Sequence, residues 1–187
     1  MFARVIVSTE DKEIAAISLG CNAEVAARPL ELAEDNVGVV DVCLNLLDQE
    51  EKAGRSYDIM CCLYATSPLR TADDIKHTVS LVESGKCDYA MAVTTYDMPP
   101  HQALKMDAHG ALEPIWPDLV NKREQEIGEL YVDNGSTYAV SVLSFRKDKT
   151  FYGPGLMGYC MPSWRSIDIN VPDDLYRAEY FAEKFGL

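Results

Sequence analysis

Residues 59–74 read IMCCLYATSPLRTADD. The apolar run Ile59 to Ala65 has the length and composition of a buried strand. It stops at Thr66-Ser67-Pro68, and Arg70 follows. Thr71 then stands three residues before Asp74, a capping-box spacing with aspartate in place of the usual glutamate. The helix this predicts carries Ile75, Val79 and Val82 on one face and closes at Gly85. A buried strand that ends in two hydroxyls and an arginine and runs straight into a helix is the unit of an α/β layer fold.

The flanking chain repeats the pattern. Phe2 to Val7 reads as a strand, Ser8-Thr9-Glu10-Asp11 as the opening of a helix to about Leu19, and Gly20 as its stop. Ala23 to Ala27 is short and extended, ending at Arg28-Pro29. A helix is expected from Asp35 to about Ala53, with Val39, Val42, Cys43, Leu46 and Leu47 at helical spacing. Tyr89 to Thr95 reads as a strand. Residues 97–128 are loop-rich, with four prolines. Ser136 to Leu143 and the shorter Arg165 to Val171 read as strands. Pro172 suits the first turn of a last helix with Leu175, Ala178, Phe181 and Phe185 on its buried side. This alternation predicts a single domain over 1–187 with a mixed, mostly parallel sheet.

The 187 residues carry a net charge of −13, with 30 acidic and 17 basic side chains. That balance lacks the basic face a general nucleic-acid binder needs. No apolar run reaches the length of a membrane span, and the first 20 residues contain acids rather than the apolar core of a signal peptide. The six cysteines form no CxxC pair, which argues against structural zinc. These features point to a reduced, cytoplasmic protein without a membrane or nucleic-acid partner.

In an open α/β sheet, ligands bind beyond the carboxyl ends of the strands. Those ends hold Ser8-Thr9-Glu10, Thr66-Ser67 with Arg70, Thr94-Thr95, and Asp168-Ile169-Asn170. Hydroxyls and an arginine suit phosphate or carboxylate. On a strand, Asp168 and Asn170 would share one face and offer oxygens to Mg²⁺. Ser67-Pro68 also reads as a plain turn, and Asp168 and Asn170 as caps of the last helix.

Five segments, taken in order, resemble the acylneuraminate cytidylyltransferase (CMP-sialic acid synthetase) family. They are Val5 to Asp11 with Glu13-Ile14-Ala15; Arg28 to Ala33; Thr66 to Thr71; Asn134-Gly135 with Tyr138; and Ser166 to Ile169 with Pro172 to Leu175. The resemblance implies a three-layer, Rossmann-like nucleotidyltransferase fold. It implies transfer of CMP from CTP to a sugar acid such as sialic, legionaminic or pseudaminic acid, with release of pyrophosphate and with Mg²⁺ or Mn²⁺ as cofactor. By position, Arg28, Thr66, Ser67 and Arg70 would bind the nucleotide. Lys105, Gln125, Asn134 and Tyr138 would bind the sugar acid, Asp168 and Arg123 would be catalytic, and Asp168 and Asn170 would hold the metal. The family's dimers imply a homodimer, with residues 97–130 as the segment reaching its partner.

The chain departs from the family pattern in three ways. It begins at what resembles the family's second strand, without the opening strand and its glycine- and lysine-rich phosphate loop. Asn170 and Glu124 stand where the family has a carboxylate and an arginine. Tyr64 replaces a glutamine, and Tyr64-Ala65-Thr66 resembles the pseudaminic-acid branch. The expected activity is therefore cytidylyl transfer, with a non-catalytic relative or fragment that binds nucleotide, sugar or another chain as the alternative.

Overall fold

The computed structural model describes residues 2–34 and 36–186. Strand β1 (Ile6–Thr9) leads into helix α1 (Lys12–Gly20), then β2 (Glu24–Ala27), α2 (Val39–Lys52), β3 (Ile59–Leu63), α3 (Ala72–Glu83) and β4 (Tyr89–Thr95). A short hairpin, β5 (Leu104–Met106) and β6 (Leu112–Pro114), and one turn of helix, α4 (Glu124–Ile127), fill the loop-rich stretch. The chain ends with β7 (Tyr131–Ser141), α5 (Val142–Asp148), β8 (Met157–Cys160) and α6 (Pro172–Phe185).

Local chemistry accounts for the helix starts. Asp11, rather than Ser8 or Thr9, caps α1, its Oδ1 accepting from the amides of Glu13 and Ile14, both at 2.8 Å. Thr71 and Asp74 make both bonds of the expected capping box. The expected start of α2 at Asp35 lies outside the described residues, and the helix begins after Gly38.

The main sheet has the order β3-β7-β4-β8. Strands β3, β4 and β8 point one way, and β7 runs against its neighbours β3 and β4. Alternation sorts the side chains into two faces. Tyr89, Met91, Tyr138 and Val140 pack with Cys43 and Leu47 of α2, with Phe145 of α5 and with Phe151. Ala90 and Ala139 meet Val79 and Val82 of α3 on the other side. The result is three layers, helix on sheet on helix. A small third cluster joins Leu69, Ile167 and Ala178 of α6.

Strands β1 and β2 form a separate parallel pair, and among the described residues no ladder joins β1 to β3. One tie between this pair and the body is Glu50 of α2, almost fully buried. Its carboxylate accepts from Arg55, from Tyr57 just before β3, and from Arg4 just before β1. Arg55 foremost, then Tyr57 and Arg4, hold the Glu50 carboxyl far below the usual carboxylate range.

Three expectations change. Residues 166–171 form no strand. The sheet's last strand is β8, because the Ile169 amide donates to a loop carbonyl, that of Thr66, at 2.9 Å rather than to a ladder. Strand β7 begins five residues earlier than Ser136, at Tyr131. Of the α6 residues expected inside, Ala178 is buried, whereas Leu175 and Phe185 are exposed.

Candidate functional site

The ladder between β4 and β7 breaks at one place. Met91 pairs with Tyr138 and Val93 with Asp133, so Asn134 to Thr137 stand opposite the single residue Ala92. This bulge bends β7 and frees backbone groups, as bulges beside binding sites do. Gly135 takes φ +63°, and a Cβ there would lie 3.1 Å from Asp168 Cγ. Glycine is favoured on both counts: a left-handed backbone and the close approach of a carboxylate.

The loop after β3 satisfies the freed carbonyls. The buried Ser67 hydroxyl donates to the Gly135 carbonyl at 2.9 Å. Arg70 Nη1 donates to the Ser136 carbonyl at 2.8 Å, and the Tyr64 amide donates to it at 3.2 Å. Buried carbonyls need such partners. A strand that ends in Thr-Ser-Pro-Leu-Arg therefore secures the bulge of its neighbour. Ser67 was expected to bind nucleotide; its hydroxyl is committed within the protein. Thr66, in the same loop, is exposed.

The bulge opens onto a cleft of about 420 Å³ lined by Tyr64, Thr94, Asp133, Asn134, Tyr138 and Asp168, with Val132, Gly135, Tyr152 and Ser166 completing its wall. Asn134 is buried, its Nδ2 donating to Ser166 Oγ at 3.0 Å and its Oδ1 accepting from the Ser136 amide at 3.2 Å. Tyr138 is buried and its hydroxyl donates to both oxygens of Asp133 at 2.9 Å. Burial and this carboxylate push the Tyr138 hydroxyl far above the usual phenol range. Burial raises Tyr64 to about 12. These hydroxyls therefore stay protonated and act as donors at neutral pH.

Asp168 presents one oxygen of each kind. Its Oδ2 accepts from Asn170 Nδ2 at 3.0 Å. Its Oδ1 is buried with no hydrogen-bond partner among the described residues. A buried carboxylate oxygen left unpaired is costly, so this atom suits a cation or a donor on a ligand. Asn170, the other expected metal ligand, is exposed and its Nδ2 is the donor in the bond to Asp168 Oδ2. Among the described residues, no three His, Cys, Asp or Glu side chains come together to hold a metal. Mg²⁺ commonly takes one or two carboxylates with water and substrate phosphates, and Asp168 alone fits that pattern.

The remaining candidates lie elsewhere. Arg28 follows β2, its Nη2 donating to the Ser8 carbonyl at 2.5 Å and its Nη1 standing 3.7 Å from Glu10, while its Nε is buried without a partner among the described residues. Gln125 lines a second cleft of about 430 Å³, with Tyr96, Asp97, His101, Glu124 and Glu129 among its walls. Arg123 is exposed at the start of α4 beside that cleft. Lys105 is exposed on β5, paired across the hairpin with Glu113. The structure thus unites Asn134, Tyr138 and Asp168 in one cleft and leaves Gln125, Arg123 and Lys105 with the segment that carries the hairpin. Asp133 and Tyr152 went unread in the sequence. Asp133 directly precedes Asn134-Gly135, which was the available signal; Tyr152 sits in a loop with none.

A layered α/β domain with a polar cleft at a strand bulge is a fold that hosts many activities, and comparison with known proteins narrows what it is similar to. The structure of CMP:2-keto-3-deoxy-manno-octonic acid synthetase complexed with CTP superposes with a TM-score of 0.62 over 98% of this chain and 82% of that one, at 13% identity. No protein-family model matches. The chain is 23% identical over 176 residues to pseudaminic acid cytidylyltransferase of Campylobacter jejuni, covering 94% of this chain and 76% of the relative. It is 28% identical over 184 residues to CMP-N,N'-diacetyllegionaminic acid synthase of Legionella pneumophila, covering 96% and 78%. It is 26% identical over 171 residues to N-acylneuraminate cytidylyltransferase of Escherichia coli, covering 91% of this chain and 40% of that protein. The resemblance to the acylneuraminate cytidylyltransferases thus extends from the motifs to nearly the whole chain.

Proposed function

We propose that this chain transfers CMP from CTP to a nine-carbon sugar acid, or a closely related one, and releases pyrophosphate. The observation that carries the reading is Oδ1 of Asp168, buried and without a partner among the described residues, on a carboxylate that lines a cleft with Asn134 and Tyr138. In this reading the sugar's anomeric hydroxyl attacks the α-phosphate in line and pyrophosphate leaves. Asp168 is the residue that would hold Mg²⁺ or Mn²⁺, which when bound screens phosphate charge and stabilises the leaving group. Asn170 holds the Asp168 carboxylate in place through Oδ2 and leaves Oδ1 free for that contact. Tyr64 and Tyr138, fixed as protonated hydroxyls, and Asn134, fixed by Ser166, shape the sugar side. Arg28, Thr66 and Arg70 supply charge and a hydroxyl for the nucleotide. Arg123, Lys105 and Gln125 reach the sugar acid from the hairpin segment, which in a homodimer belongs to the neighbouring subunit's site. Met98, Met106, Leu112, Ile115 and Trp116 of that segment are exposed, an apolar surface a second copy would cover.

The test is pyrophosphate release from CTP and Mg²⁺ with a panel of pseudaminic, N,N'-diacetyllegionaminic and N-acetylneuraminic acids. Release with at least one sugar acid is the expected result. No release from any, with a thermal midpoint that CTP does not move, would overturn it. A midpoint raised by CTP without turnover would favour the second reading, a non-catalytic nucleotide binder. That reading draws on Asn170, whose amide supplies no charge beside Asp168.

A further inference from the structure

Asp133 has no part in the chemistry above, yet it is the most heavily used carboxylate in the cleft. Its Oδ1 accepts from the Gly135 amide at 3.0 Å and from Tyr138, and its Oδ2 accepts from Tyr138 and, at 2.5 Å, from the Tyr152 hydroxyl. A carboxylate has about four acceptor positions, so Asp133 is filled and has little left for a ligand. It holds other groups in place.

The groups it holds come from two separate walls. Gly135 and Tyr138 belong to the bulge of β7, and Tyr152 to the loop between α5 and β8. That loop is fixed on either side of Tyr152. Phe151 is buried against Tyr138 and Phe145, with ring centres 4.9 and 5.0 Å apart. At Gly153 a Cβ would fall 2.1 Å from the Tyr89 ring, so the backbone there lies directly on that ring. Tyr152 itself is 64% exposed. A hydrogen bond from so exposed a group adds little to stability. What it does is fix where the ring stands at the cleft mouth before any ligand arrives, and such preorganisation lowers the ordering cost of binding.

We propose that Asp133 is a positioning residue for the sugar-acid side of this cleft, joining Tyr138 on the bulge to Tyr152 on the neighbouring loop so that both walls bind as one unit. The proposal rests on the cytidylyltransferase reading above. It places Asp133 upstream of the tyrosines: removing its charge acts on the sugar acid through them and leaves the nucleotide alone.

The experiment is a double-mutant cycle on Asp133→Asn and Tyr152→Phe, with KM and kcat measured separately for sugar acid and CTP. In Asp133→Asn the sugar-acid KM rises about tenfold, the CTP KM stays within about twofold, and kcat changes less than the sugar-acid KM. Tyr152→Phe gives a smaller rise of the same kind, and the double variant is no worse than Asp133→Asn, because the two act along one connection. The proposal falls if Asp133→Asn leaves the sugar-acid KM within about twofold, raises both KM values alike, or adds fully to Tyr152→Phe. Should Asp133→Asn fail to fold, Tyr152→Phe decides alone, an unchanged sugar-acid KM overturning the proposal. If the wild-type chain releases no pyrophosphate, the functional reading fails separately. A thermal melt with each sugar acid alone then decides: a midpoint shift in the wild type that Tyr152→Phe diminishes supports the role of Asp133, and no shift, or an equal one, removes it.

Discussion

At the scale of single residues, the site is built from polar atoms whose partners can be counted. Asp168 has one oxygen bonded and one buried without a partner among the described residues. Asp168→Asn keeps the size and removes the charge. Activity is expected to fall by about a hundredfold or more, the usual cost of losing one electrostatic contact in a reacting site. The melting midpoint is expected to hold or rise, since an unpaired buried charge is relieved. Assays of pyrophosphate release and a melt on the same preparation check both halves. A fall in both would mean that Asp168 is structural. Sequence alone pointed to Asn134, Tyr138 and Asp168, and the structure gathers them. It also pointed to Ser67 and Arg70 as ligand groups. It could not show that the Ser67 hydroxyl and one Arg70 nitrogen would also bond the Gly135 and Ser136 carbonyls, because that demand arises only once β3 and β7 lie side by side around the bulge.

At the scale of elements, the clearest successes are those with local chemistry. The capping box on α3 needs only Thr71 and Asp74, four positions of one helix start, and it forms as read. The structure adds that Arg165, from the turn before Asp168, bonds both Thr71 and the buried Asp74. Thr71→Ala is expected to cost about 1 kcal/mol from the lost cap, and somewhat more through Arg165, measured by denaturant unfolding. The misread element is Arg165 to Val171. Ile167 and Ile169 alternate with polar residues as in a strand, but Ile167 is buried with Leu69 and Ala178 and no neighbour offers a ladder. The true last strand, Met157 to Cys160, carries a glycine that weakens the pattern. A Cβ on Gly158 would approach a Val93 methyl to 3.0 Å, a crowding that exists only across strands.

For the whole molecule, alternating strand and helix sufficed for the three layers. The division of the sheet into two parts was not legible, since it depends on which edges meet. Two expectations belong here. The exposed apolar hairpin predicts a particle of twice the 20.8 kDa chain mass by light scattering, with Met106→Lys and Leu112→Lys together giving the monomer. Glu50 predicts a pH dependence. Its carboxyl is held far below the unfolded value of about 4.3, so the stability it contributes is complete above that pH and is lost as pH falls toward the folded value. The wild-type midpoint should drop steeply in acid. Glu50→Gln should melt lower at pH 7 and change less between neutral and acid conditions.

The separate β1–β2 pair also has a consequence in time. Held to the body by a knot of side chains rather than by a ladder, it can come away and return while the layered core stays closed. In deuterated buffer the amides of β1, α1 and β2 would exchange through that partial opening, and those of β7 only when the whole chain unfolds. Glu50→Gln would hasten the first group far more than the second. The molecule would then keep two clocks, and a single carboxylate would set the faster one.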